Sequence, residues 1–409
     1  MLKHSSVFLS VSFMIYTLNN PVKNFPWGSR TAIQDYFGID NSNLEHQAEI
    51  WMGAHPSASS SISQAGVDIS LCDVIASNPD YWLGKETKEN FSSLPFLMKV
   101  LAAEEPLSIQ VHPSKKAAEL GFAKENEQGI PLDAANRNYK DANHKPELVY
   151  ALTPYLAMNG FREFREIVTN FDAIGLPVLE DLFQPFKQDP NPRTLAEFFA
   201  AILALEGELK AQAISQLLNS LKMIDKDHFA YQASLLISRF SHLYPEDVGL
   251  FAPLFLNVIE LQPGEAMFLY AETPHAYIHG LGVEVMANSD NVLRAGLTPK
   301  HIDVEELVKN TQFKPIAFEN LILKPTDNQM DREIYPVPVK DFKFDVLNPQ
   351  NSISLTTSSP EILLCLSNQV TLITGMESRV LCKGESVVLP ASLGEYCISG
   401  KGSIARAYC

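Results

Sequence analysis

Disulfide chemistry, basic charge and long apolar runs are all scarce in this chain. Its 409 residues include only 5 cysteines, Cys72, Cys365, Cys382, Cys397 and Cys409, an odd number with no CxxC pair. That usage excludes a disulfide framework and reads as reduced thiols in a cytoplasmic protein. Lysine and arginine number 32 against 48 aspartates and glutamates, for a net charge of −16. An acidic surface argues against nucleic acid and anionic membranes as partners, while leaving room for a small anionic ligand in a local basic pocket. The apolar stretch from Ser6 to Leu18 is too short to span a bilayer, and no small-x-small cleavage pattern follows it. Met14 is therefore expected to be the first residue of the folded protein, with 1–13 as an extension. Also missing are the GxxxxGK[ST] phosphate loop, the GxGxxG fingerprint, HExxH and GxSxG. ATP use, nicotinamide chemistry and serine hydrolysis lose weight accordingly.

What is present divides by periodicity. From Met14 to Phe161, short apolar runs are cut by Gly, Pro, Asn and Ser, as in Glu49–Gly53 and Pro95–Leu101, which predicts strands. Ser114–Leu120 predicts a short helix after Pro113. From Arg162 to Pro245 the apolar spacing turns helical. Thr194-Leu-Ala-Glu197 reads as a capping box ahead of Phe198, Phe199, Ile202 and Leu203, and a second stripe runs from Leu209 to Leu221. Strand character returns at Leu254, where Phe255–Leu261, a Gln-Pro-Gly turn and Glu265–Tyr270 predict a hairpin. The run Gly264–His275 has a shorter echo in Gly384–Gly394, which lacks the histidine. The expected fold is mainly β with a helical insert: two antiparallel jelly-roll barrels, one equipped for a metal, plus an all-α domain. Strand-like segments 14–161 and 246–325 thus flank the helical insert 162–245, and 326–409 makes a further strand-rich segment.

The run Leu107-Ser-Ile-Gln-Val-His-Pro113 carries the strongest chemical signal. Residues i and i+2 of a strand face the same way, so Gln110 and His112 present an amide oxygen and an imidazole side by side. Glu147 and His275 complete a four-ligand N/O set suited to a divalent cation, zinc first. His112, Glu147 and His275 each adjoin a proline at the end of an apolar strand, where a barrel delivers side chains to its mouth. Charged residues cluster in His144-Lys145-Pro146-Glu147 and in Ser289-Asp290-Asn-Val-Leu-Arg294 through Lys300. Lys99 interrupts an apolar run and needs an anion if it points inward. With a metal, Arg294 and Lys300 suit an anionic substrate.

Six segments together resemble type I phosphomannose isomerases: Asn20–Ser29, Glu49–Pro56, Leu107–Pro113, Asn143–Leu148, Pro274–Tyr277 and Ser289–Lys300. The resemblance runs from Met14 to the C-terminus. It implies a zinc enzyme of the cupin superfamily, whose catalytic cupin is interrupted by a helical domain and followed by a second cupin-like domain without metal. It places one zinc on Gln110, His112, Glu147 and His275, and an essential arginine at Arg294. The remaining active-site polar residues fall on Trp27, Glu49, Lys99, His144, Lys145, Tyr277, Glu284, Asp290 and Lys300. The implied reaction is the aldose–ketose interconversion of mannose 6-phosphate and fructose 6-phosphate through an enediol or enediolate. It serves mannose catabolism or the supply of GDP-mannose precursors. Glu284 is the favoured proton shuttle, with His144, Lys145 and Asp290 competing for that role. Lys99 and Lys300 are candidates to hold phosphate, and Tyr277, Trp27 and Glu49 to shape the pocket. A monomer follows from the family's common habit. An iron-dependent cupin dioxygenase, a non-catalytic sugar-phosphate binder and a bifunctional nucleotidyltransferase are the competing readings. Against them stand, in turn, the amide in the ligand set, the retention of every ligand and Arg294, and the missing Gly-rich loop.

Overall fold

The computed structural model describes residues 15–64, 66–329 and 331–409. Met14 and the extension before it lie outside the described residues. The chain is mainly β, and most of its helices lie between Phe164 and Phe255, where the apolar periodicity predicts them; a further long helix, Pro79–Phe91, falls in the stretch expected to be strands. Among the described residues no helix is long and apolar enough to cross a membrane.

One strand, His275–Ala287, organises the barrel that carries the predicted site. Its first half pairs with Tyr155–Phe161, and its second half with Phe96–Ala103 and Glu147–Ala151. The change of partner falls at Gly280, whose φ of 127° lies where side-chain-bearing residues are strained, and where a Cβ would sit 2.6 Å from Pro154 O. A glycine there lets the strand turn from one sheet to the other, which is how a sandwich makes its corners. The bend keeps His275 and Tyr277 on one arm and Glu284 on the other. Phe96–Ala103 is buried along its whole length, Lys99 included.

Two local expectations change. Strand Leu256–Leu261 pairs with Tyr155–Phe161, and Ala266–Leu269 pairs with Glu147–Ala151. The Gln-Pro-Gly turn thus carries the chain between sheets and does not close a hairpin. The helix predicted after Pro113 runs Lys115–Glu127, with the Ser114 side chain capping Ala117 N.

The helices pack on a core rich in phenylalanine, with Phe171, Phe183, Phe186, Phe198, Phe199 and Phe255 all buried. Phe171 and Phe198 meet edge-on at 4.8 Å. Burying each such side chain contributes about 1.5–3 kcal/mol. The helix Pro192–Leu203 starts earlier than its expected cap. Asn191 is the N-cap, and Thr194, the third helical residue, closes its capping box. Proline fits the first helical position because its missing N–H would have no partner there.

The C-terminal barrel closes around charge. Asp345 and Glu361 face Arg406 at 2.5 and 3.2 Å, Arg332 adds a second cation on Asp345, and Tyr396 donates to Glu361. In the expected partition the chain from Met14 belongs to the first barrel. In the structure Tyr16–Asn19 pairs with Ser386–Leu389 of this second barrel and with Ser61–Gln64, joining the two halves of the molecule. The glycine echo persists in the structure. Ala266–Leu269 and Ser386–Leu389 are both short buried strands entered soon after a left-handed glycine, Gly264 and Gly384.

Because a buried charge that loses its partner is expensive, Asp345→Ala is expected to destabilise the fold by about 3–5 kcal/mol. Urea unfolding measures this, and metal content per folded chain should not change.

Candidate metal centre and active-site cavity

His112, Glu147 and His275 are buried and converge. Ligand-type atoms from all three lie within 4.8 Å of one another. His112 Nε2 is 3.3 Å from Glu147 Oε1, and His275 Nε2 is 3.5 Å from Glu147 Oε2. The far side of each ring is occupied. His112 Nδ1 is 2.8 Å from the Asn291 carbonyl and His275 Nδ1 is 2.9 Å from the Thr273 carbonyl. Those carbonyls fix the Nδ1–H tautomer and leave both Nε2 lone pairs facing the carboxylate. His112 Nε2 is a buried nitrogen with no hydrogen-bond partner. Protonating it is unfavourable, since burial and the nearby Lys145 lower the His112 pKa to about 4. Lone pairs aimed at a buried carboxylate repel one another unless a cation sits between them, so this donor set fits a divalent metal.

Gln110 lies directly across the ladder from His275 and from Arg294. Its amide nitrogen donates to Ser108 Oγ at 3.1 Å, which leaves the amide oxygen available. Gln110 lines a cavity of about 560 Å³ together with Glu147 and His275. Lys145 Nζ sits 3.0 Å from Glu147 Oε1, and the Tyr277 hydroxyl donates to Oε2 at 3.3 Å. Burial raises the Glu147 carboxyl, but Lys145 and His112 outweigh it and hold the group well below the usual carboxylate range. Burial and the carboxylates of Glu284 and Glu147 keep the Tyr277 phenol protonated and therefore a donor.

Trp27, Glu49, Lys99, Lys145, Tyr277, Glu284, Asp290, Arg294 and Lys300 line the same cavity. Lys99 does point inward and has its anions, with Nζ 2.8 Å from Glu284 Oε2 and 3.6 Å from Glu49 Oε1. Register explains this, because Lys99 lies opposite Glu284 on one side and Trp51 on the other. Burial works against the Lys99 ammonium, yet Glu284 and Glu49 overcome it and raise its pKa. Burial pushes the Glu284 carboxyl above the ordinary glutamate value, with Lys99 pulling against it and Glu147 adding to it. Arg294 and Lys300 have no carboxylate within ion-pair distance among the described residues. Each is affected by its setting: burial lowers the Arg294 pKa, and Arg294 lowers that of Lys300. Two neighbouring cations without a counter-ion can receive an anion.

His144 requires a correction. It is not among the residues lining this cavity. Its Nε2 lies 3.0 Å from Asp341 Oδ2 and it borders a separate cavity. Strand pairing begins only at Glu147, and the loop before it turns His144 away. Asp290 does reach the mouth, where its carboxylate is 3.7 Å from His55 Nε2. Trp51 and His55 also line the cavity but were not anticipated. The signal was there: Glu49, Trp51, Gly53 and His55 share one face of strand Glu49–His55. Asn291 gave no local signal. It is fully buried, and its side chain accepts from Lys140 N and donates to the Asp141 and Asn143 carbonyls, tying the loop before Glu147 to the carbonyl that orients His112.

A jelly-roll barrel with buried His and Glu acceptors at its mouth is the architecture of a metal-dependent cupin. Comparison narrows the class. A model of the type I phosphomannose isomerase catalytic domain matches residues 15–164, one of the helical insertion domain of that family matches 177–256, and one of the mannose-6-phosphate isomerase cupin domain matches 331–409. The mannose-6-phosphate isomerase of Escherichia coli K12 is 48% identical over 395 residues, covering 96% of this chain and 98% of its own. The human mannose-6-phosphate isomerase is 37% identical over 383 residues, covering 87% and 88%. A zinc-bound mannose 6-phosphate isomerase structure superposes with a TM-score of 0.91 at 46% identity, covering 96% of this chain and 99% of its own. The chain belongs to the type I phosphomannose isomerase family.

Residues that orient ligating histidines govern metal affinity. Asn291→Ala is expected to weaken divalent-cation binding by about 10–100-fold. Competition against a chromophoric chelator measures this, and an unchanged affinity would contradict the role given to Asn291.

Proposed function

We propose that this chain interconverts mannose 6-phosphate and fructose 6-phosphate, with zinc held by Gln110, His112, Glu147 and His275. One observation carries the reading. A single cavity is lined by Gln110, Glu147 and His275, the last two from the acceptor cluster that His112 completes, and also by the Glu284 carboxyl and the cations Arg294 and Lys300, which have no carboxylate in ion-pair range among the described residues. The name that the relatives carry, mannose-6-phosphate isomerase, supports mannose 6-phosphate as the substrate.

Two neutral imidazoles, a carboxylate and an amide suit zinc, which when bound supplies Lewis-acid polarisation of a sugar oxygen. The chain's own residues do the rest. Arg294, which lies opposite Gln110, and Lys300 hold the phosphate. Trp27 supplies a flat wall for the carbon chain. Glu284 removes the proton from C2 of the open-chain aldose, C1=C2 forms as the carbonyl pair moves onto O1 to give an enediolate, the O2 hydroxyl proton passes to O1, and Glu284 returns its proton to C1 as C2=O2 forms. A carboxyl raised by burial and steadied by an ammonium is matched to that exchange. Lys99, backed by Glu49, holds Glu284 in place, and Trp51 Nε1 donates to Glu49 at 2.6 Å. Lys145 and Tyr277 fix the Glu147 carboxylate that the imidazoles face. Asp290, beside His55 at the mouth, stands where the sugar enters. The cytoplasm and a monomeric state complete the proposal.

Chelation is expected to abolish isomerisation of mannose 6-phosphate in a coupled assay, and added zinc to restore it. Glu284→Gln is expected to lower kcat by about 10²–10⁴-fold with zinc content unchanged. Full activity with full zinc would reject Glu284 as the base.

A further inference from the structure

The arc from Arg294 to Lys300 carries both cations of the anion site, yet its backbone is held from outside the barrel. Asp247 lies within the stretch matched by the helical insertion model. Its carboxylate accepts from the backbone N–H of Leu297 at 2.8 Å, of Thr298 at 3.2 Å and of Gly249 at 2.6 Å. Leu297 has a φ of 53°, a left-handed conformation that a branched side chain disfavours. Gly296 beside it has a φ of 130°, and a Cβ there would come within 2.6 Å of Gly249 Cα. The helical turn Val248–Phe251 therefore lies flush against the arc. On the arc's other side, Ala295 N donates to the Ile109 carbonyl at 2.8 Å, and Ile109 N to that of Gly296 at 3.0 Å. The strained stretch is thus gripped between the strand that presents Gln110 and a carboxylate of the insert. A residue in a sparsely populated backbone region persists only where its surroundings over-determine it.

We propose that Asp247 is a positioning residue for the substrate phosphate: by binding two consecutive amides of a strained arc, it fixes the spacing of Arg294 and Lys300. The inference rests on those two residues holding phosphate, and it gives the helical insert a part in binding. Asp247 touches neither substrate nor metal ligand. Its loss acts on where the cations sit, which moves KM more than kcat, since an anchor remote from the reacting carbons contributes mainly to uniform binding.

The test compares Asp247→Ala, Asp247→Asn and Lys300→Ala with the parent zinc enzyme. For each, kcat and KM for mannose 6-phosphate, competitive inhibition by inorganic phosphate, zinc content and thermal midpoint are measured. Asp247→Ala is expected to raise KM and the inhibition constant of phosphate together by about 10-fold, with kcat held within about 3-fold. Asp247→Asn, which keeps one acceptor oxygen, falls between. Should the alanine variant not fold, the asparagine variant carries the same comparison. Unchanged KM and inhibition constant in both Asp247 variants, beside a raised KM in Lys300→Ala, overturn the clamp and leave the phosphate site standing. Unchanged values in Lys300→Ala as well remove the phosphate assignment and the clamp with it. A fall in kcat that tracks lost folded protein, with KM unmoved, assigns Asp247 a purely structural role and overturns the proposal.

Discussion

Two buried imidazole nitrogens face one buried carboxylate, and none of these atoms has a proton to offer the others. Everything else at the mouth of the barrel follows from that constraint. The backbone carbonyls of Asn291 and Thr273 hold each ring in the tautomer that points a lone pair inward. Lys145 and Tyr277 hold the carboxylate from behind. The cluster is stable as built only around a positive charge, and the donor atoms choose a divalent metal over a proton.

Folding places that constraint through a single strand. His275–Ala287 brings one imidazole into the cluster, turns at Gly280, and presents Glu284 on its second arm against Lys99. His275 and Glu284 therefore share one strand and cannot drift apart independently. The second barrel shows the alternative solution. Its buried carboxylates, Asp345 and Glu361, close on the guanidinium of Arg406, so that the cation comes from the chain. The helical insert, whose phenylalanines share one core with Val111, Phe161 and Ile278 of the barrel, reaches back through Asp247 to the arc that bears Arg294 and Lys300.

Much of this was readable before any coordinates. Strand alternation singled out Gln110 with His112, and the rule that an inward lysine needs an anion anticipated the setting of Lys99. The mainly β class and the helical block came from periodicity alone. What escaped was nonlocal. His144 sits two residues before Pro146 in a polar run, and only its contact with Asp341, far along the chain, shows that it faces elsewhere. The Gln-Pro-Gly turn has hairpin chemistry, but its two strands find better partners in different sheets. Tyr16–Asn19 joins the C-terminal barrel through pairings that no local pattern encodes. Trp51 and His55 were within reach, since they follow Glu49 at the spacing of two that marks one strand face.

Zinc-edge anomalous diffraction from crystals grown with one equivalent of zinc addresses the central claim most directly. The account predicts one anomalous peak, bounded by His112 Nε2, His275 Nε2, a Glu147 oxygen and the Gln110 amide oxygen at about 2.0–2.2 Å. A peak elsewhere, or one from which Glu147 has turned away to pair with Lys145 alone, would contradict it.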